Sequence, residues 1–150
     1  MLIPSSPVHF LIHASDPLPW SWLTRDRELC STTKFVDVDH EALMVSKCNV
    51  VLETPKMKNI LTLRTPKLTK GVLIDSEEYV AIGCDLRNIK RLDRLIRSVV
   101  PVEECTVLCI AEVSLAYMEP DDADAVIAWS STLSSGERVY WRQCAVSLIS

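Results

Sequence analysis

One apolar run, Val107–Ala111, constrains the fold of this chain most strongly; it lies in CTVLCIAEVSLAYMEP, residues 105–120. Five consecutive apolar residues, rich in branched side chains, are typical of a strand buried on both faces. The run ends at Glu112, and a loop around 118–120 and a helix over 121–133 are predicted to follow. Strand, acidic tip, loop and helix form the repeating unit of a doubly wound sheet, where ligands bind beyond the carboxyl ends of strands.

Other segments repeat this unit. Further strands are predicted at 8–13, 34–38 and 79–83, with a weaker pattern for a fifth strand within 138–149. Helices are predicted at 18–29, 40–47, 56–63 and 88–99. The helix over 88–99 has the clearest apolar stripe, and Asn88 is a suitable N-cap. This alternation predicts a single α/β domain over 1–150 with a doubly wound, mostly parallel sheet and right-handed crossovers.

Composition excludes some classes of protein. With 48% hydrophobic residues and only 3 glycines, 150 residues suffice for one folded core. A net charge of -4 gives no overall attraction to nucleic acid. No apolar run approaches 18 residues and no signal peptide is evident, so we expect no membrane span and a cytoplasmic protein.

Six cysteines occur without a CxxC pair. In a strand, Cys105 and Cys109 would lie roughly 13 Å apart, too far to share a metal ion. The three histidines also lack metal-ligand spacing, so no metal site is expected. Buried free thiols in a reducing compartment are the expected state of the cysteines.

Four acids follow the four clearer strands: Asp16, Asp39, Asp85 and Glu112. In a doubly wound sheet these positions converge on one crevice. An acid after the second strand can accept hydrogen bonds from ribose hydroxyls, and one after the third can reach an adenine amino group. Alternatively, such acids only begin loops or cap helices, as Asp commonly does. The ligand predicted by the first interpretation contains a nucleoside.

Several phosphate and nucleophile motifs are absent from the sequence. The residues that end the first predicted strand and follow it, Ile12–Ser15, include no glycine, so GxGxxG is missing. No P-loop and no GxSxG occurs either. Pyrophosphate binding is therefore disfavoured.

Four stretches resemble the leucine carboxyl methyltransferase family of S-adenosylmethionine enzymes: SDPLPW, FVDVDHEALMVSKC, YVAIGCDLRN and AEVSLAYMEPDDADAVIAW. Within that family the chain most resembles the wybutosine-synthesising tRNA carboxyl methyltransferases, over about residues 8–140. The resemblance implies a Rossmann-like methyltransferase fold, S-adenosylmethionine as cofactor, tRNA as partner and methylation of a carboxylate. Expected alternatives are a non-catalytic relative acting as a binding module, or methylation of a protein phosphatase C-terminus.

The resemblance also implies roles for individual residues. Asp39 is expected at the cofactor ribose and Asp85 and Leu86 near the adenine. Glu112 is expected near the amino end of the cofactor or in the active site. Tyr117 belongs to a tyrosine-methionine pair assigned to the substrate side. No catalytic side chain is assigned.

The sequence departs from the family pattern in its first strand. Ile12 and Ala14 stand where the family has glycines, so side chains are expected close to the methionine part of the cofactor. We also expect the chain to lack counterparts of the family's upstream arginine, later methyltransferase segments and kelch-type propeller. The chain is thus expected to be a partial methyltransferase domain, a fragment or a degenerate copy.

The implied chemistry requires a cationic group for the substrate. A carboxylate is already ionised at neutral pH, so no general base is needed. Because Asp85 and Glu112 would repel it, an arginine must hold it, and Arg87 is the nearest candidate. Arg87 can equally be a surface residue. The basic outer face of the helix, with Lys90, Arg91, Arg94 and Arg97, could contact tRNA phosphates or only solvent.

Overall fold

The computed structural model describes residues 8–13, 18–26, 28, 30–64, 69–112, 114–133 and 139–144. For residues 8–13, 18, 112 and 141–144 it describes the backbone alone. The strands are β1 Val8–His13, β2 Thr33–Asp39, β3 Val72–Asp75, β4 Tyr79–Gly83, β5 Thr106–Glu112 and β6 Val139–Cys144. The helices are α1 Leu18–Arg25, α2 Glu41–Glu53, α3 Pro55–Lys58, α4 Ile89–Val99 and α5 Pro120–Ser130, with a 3-10 helix at Ser114–Tyr117.

The described strands form one mixed sheet in the order β3-β4-β2-β1-β5-β6. All neighbouring pairs are parallel except β3 and β4, which are antiparallel. From β1 the chain adds β2 and β4 on one side. It then crosses back through α4 and adds β5 and β6 on the other side. The direction of winding therefore reverses between β1 and β5.

Helices cover both faces of this sheet. On one face α4 and α5 pack against the strands through a core that includes Val36, Val80, Leu92, Leu95 and Trp129. On the other face α1 and α2 pack through a second core that includes Trp20, Phe35, Met44, Val51 and Tyr79. Adjacent residues of a strand point to opposite faces, which is why neighbours such as Phe35 and Val36 enter different cores.

The antiparallel edge strand β3 was not predicted from the sequence. Its four residues, VLID, show no alternation long enough to mark a strand. It pairs with β4, and Ser76 closes the tight link between them by bonding to Tyr79. The sheet is therefore mixed, with one antiparallel edge.

Four predicted helices differ from the structure by three residues or more at one end. The helix predicted over 18–29 ends at Arg25, and the one predicted over 121–133 ends at Ser130. The helix predicted to end at Lys47 continues to Glu53, because the apolar residues 50–52 extend it and Val51 packs in the core. The helix predicted over 56–63 is a single turn, Pro55–Lys58. The predicted N-cap of α4 is confirmed: Asn88 accepts a hydrogen bond from the backbone N–H of Arg91 at 3.2 Å.

The cysteines whose side chains the structure describes are buried free thiols, as expected: Cys30, Cys48, Cys84, Cys105 and Cys109. Within the described segments no helix combines the length and the apolar character that crossing a membrane requires.

Candidate functional site

Three of the four predicted acids lie at one edge of the sheet, formed by the carboxyl ends of the parallel strands. Asp39 is the last residue of β2 and pairs in register with Gly83, the last residue of β4. Asp85 follows two residues later, and Glu112 is the last residue of β5. The fourth acid, Asp16, lies outside the described residues, as does Ala14.

Backbone register sets the spacing between two of these positions. His13 of β1 lies opposite both Val38 of β2 and Ala111 of β5. Asp39 and Glu112 are each one residue farther along, so they are level with each other on either side of β1. Two strand spacings separate them, about 10 Å. This span brackets the reversal between β1 and β5, where doubly wound sheets bind ligands.

The carboxylate of Asp39 retains acceptor capacity. Its side chain is half-buried, and Oδ1 accepts a hydrogen bond from the backbone N–H of His40 at 2.7 Å. Its second oxygen accepts no hydrogen bond from the described residues. This oxygen could accept a hydroxyl donor, which is what the predicted ribose contact requires.

Gly83 allows α2 to begin directly against the end of β4, a role that the sequence analysis missed. A Cβ atom at position 83 would lie 3.0 Å from Cα of Glu41 and 3.2 Å from its Cβ. The backbone N–H of Cys84 also donates to the carbonyl of Asp39 at 2.9 Å. The close approach at Gly83 therefore fixes the turn that carries Asp39. Its sequence signal is a glycine at a strand end in a chain with only 3 glycines.

Arg87 pairs with Asp85, so two predicted site residues bind each other. The guanidinium of Arg87 donates from Nε to both carboxylate oxygens, at 3.0 and 3.1 Å, and from Nη2 to Oδ2 at 2.6 Å. The backbone N–H of Arg87 adds a bond to Oδ1 at 3.0 Å. Hydrogen bonds from Arg87 hold the pKa of Asp85 at about 2, well below its usual range. Since a carboxylate has about four acceptor positions, Arg87 nearly saturates Asp85.

Leu86 and Tyr117 occupy contrasting environments. The side chain of Leu86 is 8% exposed and packs in the core beneath α4, so only its backbone could face a ligand. Tyr117 is 86% exposed in the 3-10 helix that follows β5. A position after β5 with this exposure is open to a substrate approaching the same edge.

A buried ion pair between Asp37 and Lys47 lies next to this edge, and the sequence did not predict it. Asp37 of β2 is fully buried, forms an ion pair with Lys47 of α2, and accepts a hydrogen bond from the hydroxyl of Tyr79 at 3.0 Å. Burial raises the pKa of Asp37, although Lys47 and Tyr79 oppose this shift. Burial, together with Asp37, also raises the pKa of Tyr79. The cluster joins α2 to β2 and β4, and thus supports the turn at Asp39.

The residues of this edge fit a nucleoside better than an anion or a metal. Carboxylates at Asp39 and Asp85 accept hydrogen bonds from hydroxyl and amino groups, and they would repel phosphates. One oxygen of Asp39 accepts no hydrogen bond from the described residues, whereas Asp85 accepts an amino donor only when Arg87 moves. Among the described residues, no group of three or more His, Cys, Asp or Glu residues is arranged to hold a metal ion.

Comparison with known proteins identifies relatives of the chain. It is 40% identical over 136 residues to the tRNA wybutosine-synthesizing protein 4 of Aspergillus fumigatus, covering 88% of this chain and 13% of that protein. The protein of the same name from Emericella nidulans is 46% identical over 121 residues, 80% of this chain and 11% of the relative. The chain is a relative of tRNA wybutosine-synthesizing protein 4.

Further comparisons delimit this relationship. The protein of that name from Aspergillus oryzae is 41% identical over 88% of this chain and 13% of its own length. The chain thus spans little more than a tenth of these curated relatives. No family model matches it. The expected resemblance to the wybutosine-synthesising branch is confirmed.

Proposed function

We propose that this chain is part of an S-adenosylmethionine-dependent carboxyl methyltransferase of the tRNA wybutosine type. The single observation that carries this proposal is the placement of Asp39, Asp85 and Glu112 along one sheet edge, on both sides of the reversal between β1 and β5. Taken in chain order, the parallel strands β1, β2, β4, β5 and β6 have the spatial order 3-2-1-4-5, which supports an incomplete Rossmann-like fold. The names of the relatives favour a tRNA substrate over a protein phosphatase. Buried free thiols favour the cytoplasm.

The proposed site residues have distinct tasks. Asp39 accepts hydrogen bonds from the ribose hydroxyls through the oxygen that no described residue occupies. Asp85 and the backbone of Leu86 recognise the adenine, and Glu112 lies near the amino end of the cofactor. Bound S-adenosylmethionine supplies a methyl group on a sulfonium, which a carboxylate oxygen of the substrate can accept. Tyr117 and Arg87 lie on the substrate side.

Positioning accounts for the catalysis in this proposal. The substrate carboxylate is ionised at neutral pH, so no residue of this chain has to remove a proton. The chain must align the carboxylate and exclude water from it. The guanidinium of Arg87, 60% exposed, can form a fork with a carboxylate, as it does with Asp85.

Calorimetry with S-adenosylmethionine tests the proposed function. We expect the chain to bind the cofactor and Asp39→Asn to weaken binding at least about tenfold, because the amide is a poorer acceptor for two ribose hydroxyls. Asp124→Asn is the matched control: it removes the same charge from an exposed position on α5 and should leave affinity unchanged. Absence of binding at millimolar cofactor would reject the enzyme, and binding without methyl transfer would indicate a non-catalytic module.

Replacing Arg87 should strengthen cofactor binding. In Arg87→Ala the cofactor can bind to Asp85 without breaking an ion pair. We therefore expect cofactor affinity to rise about two- to fivefold, which corresponds to the free energy of an exposed ion pair. Arg87→Lys, which keeps the charge but not the fork, should give a smaller gain. Arg64→Ala, an exposed arginine outside the site, should change nothing. Weaker cofactor binding by Arg87→Ala would contradict the proposal that the cofactor replaces Arg87 as the partner of Asp85.

A further inference from the structure

The outer face of α4 carries a basic stripe. Lys90, Arg94 and Arg97 follow at spacings of 4 and 3 residues, so they share one face of the helix. The opposite face is apolar and buried against the sheet through Leu92, Leu95 and Ile96. Because the chain as a whole has a net charge of -4, this stripe is a local reversal of sign.

A groove of about 590 Å³ lies between this stripe and α5. Asp93 accepts hydrogen bonds from Arg97 at 3.0 Å and from Nε1 of Trp129 at 2.9 Å, which joins the two helices. Arg97 also donates to Glu103 and to the carbonyl of Thr132, both at 3.0 Å. The wall of the groove is therefore fixed by its own hydrogen bonds, and the charge of Arg97 is compensated within it.

Two cations on the rim of the groove remain available. Lys90 and Arg94 are exposed, and neither forms a salt bridge with any described residue. Arg94 donates from Nε to the carbonyl of Lys90 at 3.3 Å, which orients its side chain along the helix. At i and i+4 on a helix, the two charges are neighbours on one surface.

The stripe begins at the candidate site. Lys90 lies in the first turn of α4, three residues after Arg87 and five after Asp85. From Lys90 to Arg97 it extends about 10 Å away from the carboxyl edge of the sheet. If one group of a polyanion reacts at this edge, the neighbouring negative charges of the same polyanion lie opposite Lys90 and Arg94.

We propose that the groove between α4 and α5 binds the phosphodiester backbone of an RNA whose modified nucleotide enters the carboxyl edge of the sheet. The inference rests on the proposed function, since tRNA appears in the names of the relatives. Phosphate contacts position a nucleic acid without reading its sequence, and paired cations on a fixed surface suit that role. The sequence has a second basic stretch at 56–70, with five cations and no acid, so the test must compare the α4 stripe with it.

The test compares two charge-matched double variants. Fluorescence anisotropy measures the affinity of the chain for a labelled tRNA transcript at several salt concentrations. For Lys90→Ala with Arg94→Ala we expect a loss of at least about tenfold at 0.1 M salt and a salt slope lower by about 2. The control, Lys56→Ala with Lys58→Ala, removes two exposed charges from α3, whose Met57 packs in the core of the other face. It should change affinity less than twofold.

Each of the following outcomes would contradict RNA binding at the groove between α4 and α5. Equal losses in both double variants would show general attraction, and unchanged affinity in the α4 variant would show that RNA binds elsewhere. A wild-type chain without salt-dependent affinity for tRNA would also overturn the inference. Polyglutamate that competes as well as RNA at equal charge would assign the groove to acidic peptides instead.

Calorimetry with S-adenosylmethionine on the same samples separates this inference from the proposed function. Cofactor binding that is intact in the α4 variant shows that the sheet edge is preserved. RNA binding through α4 without any cofactor binding would support the groove as an RNA-binding surface and would contradict the proposed methyltransferase function.

Discussion

Replacing Lys47 by methionine is expected to lower the free energy of unfolding by about 3–5 kcal/mol at neutral pH, the cost of removing one partner of a buried ion pair. Asp37 is fully buried, and its Oδ1 has no hydrogen-bond partner in the part of the chain that the structure describes. Without Lys47, the hydroxyl of Tyr79 would be the one hydrogen-bond donor to this carboxylate among the residues that the structure describes. Urea denaturation at pH 7 measures the loss.

Lowering the pH should reduce the loss of stability in Lys47→Met. Burial already raises the pKa of Asp37, and removing Lys47 raises it further. When the pKa of a carboxyl is higher in the folded than in the unfolded state, the protonated form stabilises the fold below the unfolded-state pKa. This stability is lost as the pH rises through the folded-state pKa. The deficit of Lys47→Met should therefore shrink between pH 7 and pH 5.

Two variants control this experiment. Asp37→Asn combined with Lys47→Met leaves no buried charge, so the double variant should recover most of the lost stability. Lys58→Met, at an exposed position of α3, should change the free energy of unfolding by less than about 0.5 kcal/mol. A deficit of under 1 kcal/mol in Lys47→Met, or one independent of pH, would contradict the account of the buried pair.

Gly83→Ala should damage both stability and the site. The added methyl would lie 3.0 Å from a backbone atom, Cα of Glu41, so the start of α2 must shift. Overpacking of this kind costs about 1–3 kcal/mol. Because the turn at Asp39 continues directly into α2, cofactor affinity should fall at least about tenfold as well. Thermal denaturation and calorimetry measure the two effects.

Ile96→Val provides the comparison for Gly83→Ala. Ile96 is buried on the other face of the sheet, and its truncation should cost about 1 kcal/mol without moving the carboxyl edge. Cofactor affinity equal in the two variants would show that Gly83 has no specific role at the site.

The sequence predicts the central strands and the most clearly amphipathic helix because their signals are local. Val107–Ala111 is an unbroken apolar run, and α4 combines a full apolar stripe with a capping Asn88. The edge strand β3 has no such signal, since four residues at a sheet edge are defined by their pairing with β4.

The candidate site was predictable in position but not in its contacts. Strand ends carry the acids, so Asp39 and Asp85 could be placed at one edge from topology alone. That Arg87 binds Asp85 depends on the turn before α4, which no periodicity describes. The sequence KFVDVD does not reveal that Asp37 is buried and Asp39 is not, because both lie on one face of β2 and the difference depends on where along the strand α2 packs.

The most direct test of the account is a nuclear magnetic resonance titration of the isotope-labelled chain with S-adenosylmethionine. The account predicts that the amide resonances of Asp39, Leu86 and Glu112 shift together with one dissociation constant, while those of the α3 turn stay fixed. Shifts confined to one of these three positions, or absent from all of them at millimolar cofactor, would contradict a single nucleoside site at the carboxyl edge of the sheet.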